Sequence, residues 1–470
     1  MTTKIILSFL TLVLIFASGC TAGNDYKKPI VETPKSFKEW KLATPKEIAI
    51  TDTWWKEYND SKLDTLMKQV DISNQTLAKY IASYQYALAV VDTASSQSLP
   101  TLGAGISSST SKTTSSTQGS SSKTTKSVDA TLQANWIPDI WGSVKRQEEM
   151  GRSNAQSSKA DLAAARLSIQ ILLAQSYFQL RTYDAQTEIL SEILKDNTQS
   201  LNILQNQYNA GLIVQIDLLT AKQLIESIKT QMKEVEIQRS ELEPSIAVLI
   251  GKNPSEFTIE KKALYVSTLQ VPSIIPSELL ERRPDIASAE RKMQAANAQI
   301  GIVDAAWYPR LGLSASIGAQ SNTLSNLVST PNLIWAVGGS LTQTFFDGGL
   351  READKKQAKA NYEASIANYK QSILIAFQQV EDSLATYKNL QQEFIIQKKK
   401  TEFSAQIYKI SKNQYDAGTA NYINTMDAKI SLYNDILLLK QLQVRILVTH
   451  TTLIGTLGGG WNILQLKENK

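Results

Sequence analysis

The chain has 470 residues, of which 21 are glycine and 12 proline, about 7% against roughly 12% in average usage. Scarce breakers favour long helices, and an apolar share of 42% argues against both a polytopic helical membrane protein and a large compact α/β enzyme. The net charge of +5 is spread along the chain, without the clustered basic face that nucleic acid requires.

At the start, Lys4 precedes an apolar run over residues 5–16, and Ala17-Ser18-Gly19 lead directly to Cys20. A charged start, an apolar core and small residues read as an export signal over residues 1–19. The run is shorter than the roughly 20 residues of a retained span. Cys20 is the sole cysteine, which excludes an internal disulfide. Its setting resembles a bacterial lipobox, with Ala17 where Leu is usual, so Cys20 is the expected lipidation site. Thr21 rather than Asp follows it, which by analogy with lipoprotein sorting points to the outer membrane. No later stretch holds 18 consecutive apolar residues. A membrane crossing by the mature chain therefore requires strands.

The rest of the chain is written twice. Asn206-Gln207-Tyr208-Asn209-Ala210-Gly211 recurs as Asn413-Gln414-Tyr415-Asp416-Ala417-Gly418, and the likeness continues to Ala428-Lys429. Pro100-Thr101-Leu102-Gly103 matches Pro309-Arg310-Leu311-Gly312, Asp139 matches Asp347, and Leu249-Ile250-Gly251 matches Leu453-Ile454-Gly455. Such a period is far longer than that of solenoid repeats, so each half is one copy of a duplicated unit. Each half predicts a helix, a strand pair, a very long helix, a turn at Gly211 or Gly418, and a returning helix. Residues 152–210 and 350–417 contain no glycine or proline. At 1.5 Å per residue they would extend roughly 90–100 Å. The returning helices are expected over 212–243 and 419–454. Leu190, Leu194, Asn197, Leu201, Leu204 and Tyr208 form a narrow packing seam at alternating spacings of four and three.

In the strand pairs, Val128, Ala130, Leu132, Ala134 and Trp136 alternate with polar residues, as do Leu311, Leu313, Ala315, Ile317 and Ala319 with small or polar ones. Period two predicts strands with one apolar and one wet face. Trp136, Trp141, Trp307, Tyr308 and Trp335 flank them, like the aromatic girdle of an outer-membrane barrel. The Ser/Thr/Lys tract over 107–127 reads as a mobile extracellular loop, with 322–332 as its counterpart. Four strands cannot close a barrel, for which about 8 is the practical minimum. Several copies must therefore share one. His450, the single histidine, lies in an apolar helical stretch and reads as structural. No constellation of nucleophile, base and oxyanion donors is present. Lys398-Lys399-Lys400 reads as a solvated helix face.

With Asn24-Asp25-Tyr26-Lys27-Lys28-Pro29 after the cysteine, Pro276-Ser277-Glu278-Leu279-Leu280-Glu281-Arg282-Arg283-Pro284-Asp285-Ile286, and Leu457-Gly458-Gly459-Gly460-Trp461 near the end, the chain resembles the outer-membrane factors of tripartite efflux pumps, the TolC/OprM/NodT type. It is most similar to their lipidated OprM-like branch. The resemblance implies a mixed α and transmembrane β fold. A homotrimer would form a 12-stranded barrel in outer-membrane lipid, continued by a long periplasmic α-helical barrel. It would divide the chain into the signal peptide (1–19), a lipid-anchored segment (20–60), helical segments (61–99, 141–251, 276–308 and 348–455), hairpins (100–140 and 309–347) and equatorial segments (252–275 and 456–470). It implies passive exit of small molecules, with no enzyme activity and no cofactor. The partners would be a periplasmic adaptor (membrane fusion) protein and an inner-membrane transporter of RND type. A type I protein-secretion channel and a lipid-anchored coiled-coil scaffold without a pore are the alternatives. The family's periplasmic gate maps onto Asp217, Tyr415, Ile423 and Asp427. There Asp217 would accept the Tyr415 hydroxyl proton, and Asn424 stands where a second ring carboxylate is found.

Overall fold

The computed structural model describes residues 21–34, 36–38, 50–115, 121–262 and 278–466. Cys20, the leader, and the equatorial residues 263–275 and 467–470 lie outside the described residues. A 3-10 turn at Trp54–Tyr58 precedes helices α1 (Ser61–Ser73) and α2 (Gln75–Ser96) and strands β1 (Thr101–Ser115) and β2 (Ser121–Trp136). Then follow α3 (Ser143–Asn209), α4 (Gln215–Leu249), α5 (Leu279–Arg282) and α6 (Pro284–Ala305). Strands β3 (Arg310–Ser321) and β4 (Leu333–Thr342) lead to α7 (Leu350–Asp416) and α8 (Tyr422–Thr456).

The duplication is metrical. Helices α3 and α7 are both 67 residues long, α4 and α8 both 35, and α2 and α6 both 22. Their ends match too. Gly211 (φ 76°) closes α3 and Gly418 (φ 74°) closes α7. Just beyond each glycine, the Leu212 N–H donates to the Gln207 carbonyl and the Thr419 N–H to the Gln414 carbonyl, both at 2.9 Å. Each is the six-to-one bond of a Schellman cap, whose left-handed residue favours glycine. Gly251 and Gly458 close α4 and α8 in the same way, with φ of 67° and 97°. This corrects the pairing of Gly251 with Gly455. Gly455 lies inside α8, and equal helix lengths place the capping glycine three residues later. Helix α4 also passes the expected end at residue 243 and runs through Pro244. A helical proline costs about 3 kcal/mol, but continuation buries Ile246, Ala247 and Ile250 completely.

The described residues cluster into two compact units. The first contains residues 21–30, 83–115, 121–158 and 289–369. At its centre is one antiparallel sheet of order β1-β2-β3-β4. The tract expected as a loop over 107–127 is mostly strand. Thr101 to Ser115 pair in unbroken register with Asn135 to Ser121. Threonine favours extended backbone, and two wet faces need no hydrophobic alternation, so the tract pairs without advertising itself. Its counterpart at 322–332 is a loop, built on short 3-10 turns at Leu324–Asn326 and Thr330–Asn332.

The second unit contains residues 31–34, 36–38, 50–82, 159–262, 278–288 and 370–466. Leu63, Leu66, Met67 and Val70 give α1 a buried stripe at helical spacing. It packs with Leu173, Tyr177 and Phe178 of α3, Ile246 of α4 and Leu447 of α8 in one core. Farther along α3 the expected seam packs on the returning helix, with Leu190 against Ile228 and Leu204 against Leu218 and Ala221. His450 is fully buried, and its Nδ1 lies 2.9 Å from the Tyr58 hydroxyl.

Candidate functional site

Two places in the chain have surfaces that a packed core does not explain. One is the sheet. Its register aligns the apolar ladder residues of β1, β2 and β3 on one face, joined by Leu333, Trp335, Val337 and Leu341 of β4, while Ile334 and Ala336 of β4 lie on the other. Ile317 pairs with Leu132 on one side and Trp335 on the other, and Ala315 with Ala134 and Val337. Leu102, Ile106, Leu132, Ile317, Trp335, Val337 and Leu341 on this face are 49–79% exposed. The opposite face carries Gly103, Gly105, Asp129, Thr131, Gln133, Asn135, Ser314 and Ser316. From Val128 to Trp136 the apolar ladder of β2 runs roughly 26 Å along the strand at 3.3 Å per residue, or about 20 Å along the membrane normal at a tilt of roughly 40°. An outer-membrane barrel presents an apolar band about 25 Å tall. No helix among the described residues is long and apolar enough to cross a membrane.

Aromatic residues gather where this sheet meets the helices. Trp141 stacks on Tyr308 with centroids 4.6 Å apart, and its Nε1 donates to the Pro309 carbonyl at 2.7 Å. Trp136 Nε1 donates to the Ser98 carbonyl at 3.0 Å. The Arg351 guanidinium lies 4.7 Å from the centroid of Trp307 and is held by Asp347. That hydrogen bond keeps the Asp347 carboxyl below the usual carboxylate range. Trp335 lies apart from these, near the loop end of β4.

The N-terminal segment is tied into the same unit, in part by Arg146, Glu290 and Gly301, which the sequence reading did not single out. The Ala22 N–H donates to the Trp141 carbonyl at 2.9 Å. Arg146, almost fully buried, donates to the carbonyls of Ala22 and Gly23 and to Asp25. A Cβ on Gly301 would stand 2.9 Å from the Arg146 side chain and 3.0 Å from the Ala22 carbonyl oxygen, so a larger residue there has to displace one of them. Burial, then Glu290, pushes the Tyr26 phenol far above its ordinary pKa, and its hydroxyl donates to Glu290 at 3.0 Å.

The second place is the end of the two helical hairpins at Gly211 and Gly418. Asp217 lies in the first turn of α4, whose N-cap Val214 provides no side-chain cap. Ile423 and Asp427 lie in the first two turns of α8, which Asn421 caps through the Asn424 N–H at 3.2 Å. Tyr415 does not bond Asp217. Its hydroxyl donates to Gln207 Oε1 at 2.9 Å, and its ring meets Tyr422 edge-on at 5.2 Å. Gln207 and Tyr415 both stand in the last turn of a long helix, whereas Asp217 lies beyond the cap, on the returning helix. Gln207 is thus a contact the sequence reading missed, although the repeated Asn-Gln-Tyr triplet contains it. Lys398-Lys399-Lys400 is exposed, as a solvated helix face should be, but Lys400 also has a buried partner. Its Nζ lies 2.7 Å from Asp435, a buried carboxylate that also accepts from Ser404 and Gln397.

An apolar sheet face with girdle aromatics, on a chain of duplicated long helices, narrows the family to one kind. The model of the outer membrane efflux protein family matches residues 66–252 and 275–459. The chain belongs to the outer membrane efflux protein family. The two matched segments start 209 residues apart and end 207 apart, the offsets of the two halves. Among relatives of this efflux family, the cation efflux system protein CusC of Escherichia coli O6:H1 is 26% identical over 457 residues, 96% of this chain and 97% of its own. The pyoverdine export outer membrane protein OpmQ of Pseudomonas aeruginosa is 27% identical over 417 residues, 87% of each chain. Among solved structures, the outer-membrane channel OprN superposes with a TM-score of 0.88 at 25% identity, covering 94% of this chain and 100% of its own. The open state of the MtrE channel of Neisseria gonorrhoeae gives a TM-score of 0.84 at 25% identity, with 94% and 98% covered. This outer membrane efflux protein is thus an efflux channel of the outer membrane. The fold is of the mixed helical-tunnel and β-barrel class.

Proposed function

We propose that three copies of this chain close their four-stranded sheets into one twelve-stranded barrel, which serves as the exit duct of a tripartite pump. The observation that carries this reading is the sheet itself. Its apolar face is exposed, and β1 and β4 each have one unpaired edge. Open edges are not viable in lipid, and closure by neighbouring copies satisfies them. The polar, glycine-rich face then lines the lumen. Small molecules pass through it passively, delivered by an inner-membrane transporter of RND type through a periplasmic adaptor. Cys20 carries the lipid. Support comes from the residues that follow it, because Thr21 packs on Gly142 and Ala22 bonds Trp141 within the aromatic belt. The hairpin ends form the gate, with the Gln207–Tyr415 bond holding the two hairpins of one chain together. Asp427 supplies a carboxylate ring and Ile423 an apolar constriction next to it, while Asp217 supports the first turn of α4.

The deciding experiment is cross-linking of the membrane-extracted protein, paired with planar-bilayer recording. Three chains per particle and cation-selective channels are expected. A monomer that conducts, or a trimer that does not, overturns the reading.

A further inference from the structure

The hairpin ends of the second unit enclose a cavity of about 460 Å³, within the range of small-molecule sites. Its walls include Gln207 of α3, Tyr408, Lys412 and Tyr415 of α7, and Tyr422 and Lys429 of α8. Lys429 is only 5% exposed. Among the described residues its ammonium has no carboxylate or carbonyl in ion-pair or hydrogen-bond reach. It faces the rings of Tyr408 and Tyr433, 5.9 and 5.7 Å to their centroids. At that range the ring contacts are far weaker than the hydration that a buried ammonium gives up. Burial pushes the Lys429 pKa down, the more distant Asp196 opposes that, and Lys412 adds to it. Asp196 is exposed, and so is Asp416 at the cavity wall.

The duplication supplies an internal comparison. Lys222 is the repeat-mate of Lys429 and is exposed. Leu201, Gln215 and Glu226 occupy the positions matching Tyr408, Tyr422 and Tyr433. Tyr208 is the mate of Tyr415, so the second half adds three tyrosines to the one that both halves share, and the buried cation occurs only with those three. A helix that merely needed a lysine would leave it in water, as the first half does.

We propose that this cavity is a binding site for a small organic carboxylate, with Lys429 as the counter-ion and the tyrosines as its walls. Carboxylates that carry a flat ring suit it best, because the anion meets the ammonium while the ring packs on tyrosine. Occupancy would brace α8 against α7 at the hairpin ends. The channel reading does not enter this argument.

Benzoate is the probe and benzamide its neutral control, titrated calorimetrically into the detergent-solubilised full-length protein. The expected result is one saturable benzoate site per chain, with benzamide at least tenfold weaker. Lys429→Gln should weaken benzoate at least tenfold, while Lys222→Gln leaves it unchanged. Absence of saturable binding, equal affinity for benzamide, or equal affinity in Lys429→Gln overturns the proposal. If the glutamine variant does not assemble, the benzoate–benzamide comparison on the parental protein decides alone.

Discussion

Asp435 is 3% exposed and meets Gln397, Lys400 and Ser404. Burial raises its pKa, but the bonds from Lys400, Ser404 and Gln397 outweigh burial and leave the carboxyl below its usual value. Its stabilising contribution is present above the ordinary aspartate pKa of about 4 and is lost as pH falls through the lower folded value. Melting temperature should therefore fall below about pH 4. Asp435→Asn should lose roughly 1–3 kcal/mol at neutral pH and show a shallower acid decline in the same melting series. An unchanged acid decline would mean that other carboxylates carry it. At this scale the sequence was least legible. Lys400 looks like its neighbours Lys398 and Lys399, and only the facing helix shows which lysine has a buried partner. The Tyr415 hydroxyl was assigned to the more acidic acceptor, whereas helix-end geometry brings Gln207 to it.

Elements were read better, because breakers and periodicity act locally. Both long helices end within one residue of expectation, where a glycine permits a left-handed cap. The same glycines divide into two kinds. A Cβ on Gly211 or Gly418 would meet nothing within 4 Å. Gly211→Ala should then cost only the left-handed strain, about 1–2 kcal/mol. A Cβ on Gly251 would stand 2.0 Å from the Ser73 carbonyl oxygen, and one on Gly458 2.0 Å from that of Arg282. Thermal melting should show Gly251→Ala and Gly458→Ala as far more damaging than Gly211→Ala, with little folded protein recovered. Strand faces yield a similar contrast. Ile317→Lys puts an ammonium on the apolar face and should cost about 2–4 kcal/mol, read as lost recovery in the outer-membrane fraction. Ser316→Lys, on the other face, should insert normally. The hairpin tract escaped the reading because strands without a buried face have no period-two signal.

For the whole molecule, Gln207 and Tyr415, in the last turns of α3 and α7, join the two hairpins of one chain near their ends, beside the packing of Tyr422 on Leu201 and Leu204. Breaking that pair with Gln207→Ala and Tyr415→Phe should raise single-channel conductance in planar bilayers. Asp427→Ala should weaken cation selectivity and block by multivalent cations. Parental conductance, selectivity and block in these variants would remove the gate from the hairpin ends. Duplication was legible at this scale because three anchors share nearly one offset. Its fine register was not, since Leu-Ile-Gly recurs by chance three residues before the true cap.

Equal helix lengths in the two halves also bear on how such a chain can change. One inserted residue rotates everything beyond it in a helix by about 100°, so every later contact faces the wrong neighbour. Lengths of 67 and 35 have stayed identical while most side chains diverged. The span from β1 to α3 begins at Thr101 and Ser143, that from β3 to α7 at Arg310 and Leu350, so the second is two residues shorter. Natural insertions and deletions are thereby channelled into the hairpins. A peptide epitope placed between Ser115 and Ser121 should leave assembly intact and label whole cells from outside, whereas one extra residue in the middle of α3 should abolish recovery from the membrane.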